Sequence, residues 1–179
     1  MRAAVAVAVL VFLAPPAAYA QAPSFVVQAD VKIGRFAVKR DRTLGAAQRA
    51  FGQPTSVRPT QQAACAAAWV PYGLTIHFYN LGGQNPCSPR YGFFSRAFLQ
   101  GSRWRTARGL RVGNSVAVLR RLYPAARFYP GVRGERPAGW WLVTRTSPFG
   151  LGGFYPGLLA ATRNGAVSSF QVRYPAGGD

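Results

Sequence analysis

The feature that most constrains the fold is a similarity between two segments that lie 72 residues apart. Residues 41–51 read DRTLGAAQRAF, and residues 113–123 read GNSVAVLRRLY. In each segment a hydroxyl residue, Thr43 or Ser115, stands where a helix N-cap is expected, and apolar residues follow at helical spacing. This offset exceeds the usual periods of solenoid proteins, so it predicts a duplicated small domain.

Alternation of apolar and polar residues predicts antiparallel strands after each helix. Residues 74–79, which read LTIHFY, show this pattern most clearly. The pair Asn164-Gly165 is typical of a two-residue type I′ turn and predicts a hairpin. We therefore expect an α+β fold, in which each copy has a short helix and about three antiparallel strands. The predicted strands are residues 73–79, 93–99, 140–145, 158–163 and 166–174.

The N-terminal segment has the pattern of a secretory signal peptide. Arg2 precedes an apolar run over residues 3–14, and Ala18-Tyr19-Ala20 fits a cleavage site. An uncleaved anchor would need about 20 apolar residues, so we expect cleavage near Ala20 and a secreted, extracytoplasmic protein without a membrane span. The predicted divisions are a signal peptide over residues 1–20, an extended lead-in over 21–32, a first repeat over 33–103 and a second repeat over 104–179.

Cys65 and Cys87 are the two cysteines of the chain. An even pair in an exported protein predicts one disulfide. The alternative of a metal site would need more ligands than these cysteines and the single histidine supply. We therefore expect neither a metal nor a cofactor.

Charge and the scarcity of acids limit the possible functions. The chain has 22 Lys and Arg residues against 4 Asp and Glu, a net charge of +18, which favours anionic partners. Only Lys32 and Lys39 are lysines, and this excess of arginine over lysine fits either selection or genome composition. Catalysis by paired carboxylates needs two acids near one bond, and the chain has only four acids in all. A Ser-His-Asp arrangement could use only His77, so no enzymatic activity is expected. A basic and aromatic run over residues 96–108 could contact nucleic acid, but for an exported protein anionic wall polymers or lipid head groups are the expected charge partners.

Several short motifs resemble those of a known group of folds. Residues 104–115, WRTARGLRVGNS, resemble the start of the helix in β-lactamase-inhibitory proteins and in small lipoproteins of the outer-membrane β-barrel assembly machinery. Residues 33–36 (IGRF), residues 51–54 (FGQP) and the cysteine pair match exported proteins with the same tandem layout, and the resemblance covers residues 33–174. It implies two tandem repeats that form one curved sheet with helices on one face, and a concave face that holds another protein.

Two departures limit what this resemblance implies. The assembly lipoproteins carry a lipidated cysteine at the mature start, where this chain has Gln21. The acidic loop residues through which the inhibitors bind their enzyme have no counterpart in this acid-poor chain. Inhibition of a β-lactamase is therefore not predicted.

The predicted working surface is the side of the sheet that faces away from the helices. Strand alternation selects its residues, with Trp141 able to turn inward instead. We expect a secreted, non-enzymatic module that holds an envelope or extracellular protein there through aromatic and arginine anchors. The alternative is a basic envelope protein that coats an anionic wall polymer or lipid head groups; a hydrolase would require an acid beside His77. The predicted binding residues are Thr75, His77, Tyr79, Arg96, Phe98, Trp141, Arg145, Gln171 and Arg173.

Overall fold

Eleven strands and two α-helices make up the described part of the chain. The structure is a computed structural model and describes residues 24–29, 31–61, 63–130, 139–146 and 155–174. The predicted signal peptide lies outside these residues, as do residues 131–138 and 147–154 of the predicted second repeat. The elements are β1 (Val26–Gln28), β2 (Lys32–Ile33), α1 (Leu44–Phe51), β3 (Ser56–Gln61), β4 (Ala64–Trp69), a 3₁₀ turn (Val70–Tyr72), β5 (Leu74–Tyr79), β6 (Phe93–Leu99), β7 (Arg105–Thr106), α2 (Val116–Leu122), β8 (Arg127–Pro130), β9 (Gly139–Thr146), β10 (Tyr155–Arg163) and β11 (Ala166–Arg173).

Eight of the strands form one sheet in the order β3-β4-β5-β6-β11-β10-β9-β8. Every neighbouring pair in this sheet is antiparallel. From each edge the strands follow in chain order toward the centre, where β6 pairs with β11. A second, small sheet has the order β2-β1-β7, in which β1 is parallel to β7.

The local signals for helix starts and for the hairpin are confirmed. Oγ1 of Thr43 accepts a hydrogen bond from the N–H of Ala46 at 3.1 Å, and the hydroxyl of Ser115 caps α2 in the same way. Asn164 and Gly165 both have positive φ, of 50° and 74°, as a type I′ turn requires. The chain therefore begins its helices and reverses its hairpin where the sequence indicates.

The prediction of an α+β fold of two tandem repeats with helices on one face is wrong. Strand makes up 47% of the structure and helix 14%, so the fold is mostly β. The two helices have only 8 and 7 residues, while β3 and β8 add strands that the sequence reading did not include. The predicted lead-in and both predicted repeats also share the small sheet, because β1 pairs with both β2 and β7. The chain thus does not divide clearly into two similar α+β units.

The core lies against one face of the large sheet and is rich in aromatic rings. Phe51, at the end of α1, contacts the rings of Phe36, Trp69 and Trp104 at centroid distances of 6.4, 5.6 and 6.4 Å. Trp104 is fully buried, and its Nε1–H donates to the carbonyl oxygen of Tyr72 at 2.7 Å. Buried residues of the sheet and Leu119 of α2 belong to the same cluster. Because the core occupies this face, the other face is left for polar side chains.

The disulfide between Cys65 and Cys87 is confirmed. It joins β4 to the connection over residues 80–92, which leads from β5 to β6. The far end of this connection meets the start of α1: the N–H groups of Leu44 and Gly45 donate to the carbonyl oxygens of Gly92 and Pro89 at 2.9 and 2.8 Å. The bridge therefore fixes a connection that satisfies free backbone groups of the helix.

In the described ranges, no helix has the length and apolar character needed to cross a membrane.

Candidate functional site

The face of the large sheet opposite the aromatic core carries most of the predicted binding residues, and we call it the polar face. In β5 the half-exposed Thr75, His77 and Tyr79 alternate with buried apolar residues, as predicted. Arg96 and Phe98 in β6 are exposed and half-exposed, and Ala97 between them is buried. Successive side chains of a strand point to opposite sides, so these residues share the polar face.

A row of basic residues crosses this face perpendicular to the strands. His77 in β5 lies directly opposite Arg96 in β6, and Arg96 lies directly opposite Arg173 in β11. On the other side His77 is opposite Ala66 of β4, which is opposite Arg58 of β3. We call Arg58, His77, Arg96 and Arg173 the basic row. Residues directly opposite in an antiparallel pair project from the same face, so five neighbouring strands contribute to one line.

A second line of residues runs beside the basic row. Phe98 lies between Thr75 on one side and Gln171 on the other. The Phe98 ring meets the His77 ring edge-on at 5.6 Å, and the Arg96 guanidinium lies 5.8 Å from its centroid. Gln171 is only 1% exposed, and its Oε1 has no hydrogen-bond partner in the part of the chain described. The two lines together form a patch with cationic, aromatic and amide groups.

The electrostatic field of the patch is positive. Burial lowers the pKa of His77, and the nearby Arg96 and Arg58 lower it further because they disfavour a second positive charge. The pKa of Arg173 is also lowered, first by burial and then by Arg96. Asp41 is the one acid among the described residues, and it pairs with Arg49 beside the start of α1. Thus no described acid neutralises the basic row.

Two of the predicted residues do not join this patch. Trp141 turns inward, the alternative that its strand pattern left open: it is 6% exposed, lies opposite the buried Ala160, and its ring contacts Phe128 at 5.2 Å. Arg145 is exposed near the end of β9, opposite Pro156, and irregularities of register separate it from the two lines. Placing Trp141 on the polar face is therefore corrected by the structure.

Gln171 and Tyr79 lie on the polar face, but their surroundings differ from those that strand alternation predicts. Gln171 was expected on the free side of its strand, and it lies there but is buried between Phe98 and Leu159 of the neighbouring strands. Tyr79 lies opposite Phe93, beyond a register irregularity that separates this pair from His77 and Arg96. The patch is therefore centred on β5, β6 and β11, with Tyr79 at one end.

Arg58 belongs to the basic row, although sequence reasoning missed it. Its strand, β3, contains Pro59, and a proline within a strand is tolerated only at a sheet edge or a bulge. The structure places β3 at the edge, where Pro59 and Arg58 also oppose pairing with another chain. The signal available in the sequence was Pro59, which is compatible with a strand only at an edge or a bulge.

Within the described ranges, no group of three or more His, Cys, Asp or Glu residues lies together as the ligands of a metal ion would. Among the described residues, no acid lies beside His77.

Comparisons with known proteins add no family. No protein-family model and no curated protein matches the chain. Among solved structures, a cysteine-rich secretory protein from Staphylococcus aureus subsp. aureus Mu50 is similar with a TM-score of 0.43 and 11% identity. The match covers 75% of this chain and 42% of that one, so the chain spans less than half of that structure. A likeness at this level carries no argument about fold or function, and the resemblance drawn from short motifs stays a prediction.

Proposed function

We propose that this chain is an exported, non-enzymatic binding protein that holds an envelope or extracellular protein on its polar face. The observation that carries the proposal is the patch on β5, β6 and β11. There Arg96, Arg173 and His77 lie in direct opposition, and Phe98 packs beside them. Arginine and aromatic residues are enriched in the central anchors of protein interfaces. Basic groups placed directly opposite one another destabilise a sheet when no acid neutralises them, so a role in binding would explain their arrangement.

Export is the finer part of this proposal. The disulfide is a bond that persists in oxidising, extracytoplasmic compartments, which supports a location outside the cytoplasm. Cleavage of a signal peptide near Ala20 would release the chain from Gln21 onward. Sequencing the N-terminus of the protein recovered from the extracytoplasmic fraction tests this step.

Capture of a partner by the mature protein tests the binding function. The immobilised chain from Gln21 onward would be exposed to extracytoplasmic proteins of its own organism, and the proteins it retains would be quantified. Phe98→Ala and Tyr79→Ala should reduce capture of a specific partner at least about tenfold, as loss of an interface anchor commonly does. Phe128→Ala is the matched control, because Phe128 is 49% exposed and lies opposite Trp141, away from the polar face. Equal capture by all three variants, with unchanged thermal midpoints, would refute the proposal.

The alternative function is coating of an anionic wall polymer or lipid head groups by charge alone. It is favoured by exposed arginines outside the patch, such as Arg120 in α2 and Arg163 beside the turn of the β10–β11 hairpin. Binding of this kind would weaken steeply with salt, because exposed charges are screened. It would also respond equally to removal of any exposed arginine. Retention on an immobilised polyanion, compared between Arg96→Gln and Arg163→Gln, separates the two functions.

A further inference from the structure

The basic row is unusual because like charges face each other directly. The charged pair is Arg96 and Arg173, which lie directly opposite each other, and His77 lies on the other side of Arg96, where protonation would add a further positive charge. Like charges directly opposite in a sheet are destabilising. Since no described acid neutralises them, the arrangement opposes folding, and an anionic ligand would relieve it.

The strands fix the positions of these groups. Neighbouring strands lie about 4.8 Å apart, so the row from Arg58 to Arg173 extends for about 19 Å across the sheet. An extended peptide rises about 3.3 Å per residue, so about six residues would cover the row. Ala66, which is 5% exposed, leaves a low point between Arg58 and His77. The line of charges is therefore long enough to meet several anionic side chains of one segment.

We propose that the basic row binds an acidic segment of the partner protein, whose carboxylates are held by the guanidinium groups of Arg96, Arg173 and Arg58. This rests on the proposed function, because it names the chemistry of the segment that the polar face would hold. The planar guanidinium group donates two parallel hydrogen bonds to a carboxylate. Thr75 and Phe98, directly beside the row, supply a hydroxyl and a ring suited to peptide contacts. These neighbours favour a protein segment over a uniformly charged polymer.

His77 makes the binding dependent on pH. Its neighbours on the polar face are uncharged or basic: Thr75 and Tyr79 on its own strand, Ala66 and Arg58 toward the edge, and Arg96, Phe98 and Arg173 toward the centre. A bound carboxylate would oppose the field of these arginines and favour protonated His77. Binding then takes up a proton, so affinity rises as pH falls. Arginines alone would not show this, because they keep their charge throughout the range.

A capped, fluorescently labelled peptide of six glutamates serves as the probe, and its affinity is measured by anisotropy. Arg96→Gln and Arg173→Gln should each weaken binding about tenfold, or about 1.4 kcal/mol, because each removes a charge-assisted hydrogen bond to a carboxylate. Arg163→Gln is the matched control, because it removes the same charge at the far end of the β10–β11 hairpin from Arg173. It should change affinity less than about twofold, as expected for a distant exposed charge at moderate salt.

The pH arm uses the same probe between pH 8 and pH 5.5, where glutamate carboxylates remain largely ionised with pKa values of about 4.3. The wild-type affinity should rise at least about threefold as pH falls, which is within the tenfold that one unit of pKa shift allows. His77→Gln should remove this rise while keeping the binding at pH 8. A pH profile that is unchanged in His77→Gln would overturn the role of His77.

Three results would overturn the proposal. Equal losses in all three arginine variants would show a general field and no site. If hexameric polyphosphate displaces the labelled peptide more strongly than the unlabelled peptide does, with the same dependence on Arg96, the row would be assigned to an anionic polymer. Loss of partner capture in Phe98→Ala but not in Arg96→Gln would leave the proposed function standing and remove this inference alone. Conversely, peptide binding that depends on the row without any captured partner would count against the proposed function.

Discussion

Removal of the disulfide should lower the free energy of unfolding by an amount that follows from the bridge's place in the chain. Cys65 and Cys87 are 22 positions apart, and Cys65 is fully buried in β4. Closing a loop of this length reduces the entropy of the unfolded chain, which corresponds to about 3 kcal/mol of stability. This is a large share of the roughly 5–15 kcal/mol that stabilises a typical domain. Replacing both cysteines by alanine should therefore cost about 3 kcal/mol.

Urea unfolding followed by tryptophan fluorescence measures this loss, because Trp69 and Trp104 are buried in the folded state. The slope of free energy against urea should also increase, since an uncrosslinked unfolded chain exposes more surface. The reduced wild type is the control, and its free energy of unfolding should match that of the double variant. Adding reductant should not change the stability of the double variant. A loss below about 1 kcal/mol with an unchanged slope would show that the loop-closure reasoning is wrong.

The bridge should also have a local effect that hydrogen exchange can detect. The N–H groups of Leu44 and Gly45 donate to carbonyl oxygens of the connection that Cys87 anchors. In the double variant these two amides should exchange faster relative to the amide of Val167, which donates to the carbonyl oxygen of Asn114 in the other half of the chain. Equal changes at all three amides would show that the bridge acts on global stability only.

Three further predictions concern single side chains. The pKa of His77, the only histidine, is lowered by burial and by Arg96 and Arg58, so the unfolded chain binds its proton more readily. The free energy of unfolding should therefore decrease as pH falls below about 6.5 in the wild type but not in His77→Gln. Urea unfolding of both proteins at pH 7.5 and 5.5 measures this decrease, and an equal change in the two proteins would contradict the prediction. Phe51→Ala should cost about 3–5 kcal/mol in urea unfolding, because the buried ring packs among other core aromatics; a loss below about 1 kcal/mol would contradict that packing. Thr43→Ala should cost about 1 kcal/mol through loss of the N-cap, whereas Thr43→Ser should retain the stability.

Much of the polar face could be predicted from the sequence because strand alternation is a local property. The pattern in residues 74–79 indicated that Thr75, His77 and Tyr79 share one side, and the strand bears this out. Trp141 could not be assigned, because an aromatic residue in a strand suits either a buried or an exposed side. Its position was decided by packing beside Phe128 and against the core. Arg58 was missed because an edge strand with a proline has no alternating pattern to detect.

The sequence by itself determined the features that depend on neighbouring residues. The hydroxyl caps at Thr43 and Ser115 and the turn at Asn164-Gly165 follow from backbone sterics and hydrogen bonds within a few residues. The pairing of the two cysteines followed because no other cysteine competes. These signals describe where elements begin and reverse, but apart from the β10–β11 hairpin they contain no information about which strands become neighbours.

Only the tertiary structure decided the strand order, and with it the basic row. Arg96 and Arg173 belong to strands that are distant in the sequence, and they meet because β6 pairs with β11 at the centre of the sheet. The fold is mostly β because the edge strands β3 and β8 extend one large sheet, whereas the two helices are short. A strand can satisfy its backbone hydrogen bonds with many partners, so its neighbour is selected by the packing of the whole chain. The physical reason is that alternation selects the face of a side chain, whereas long-range packing selects what lies beside it.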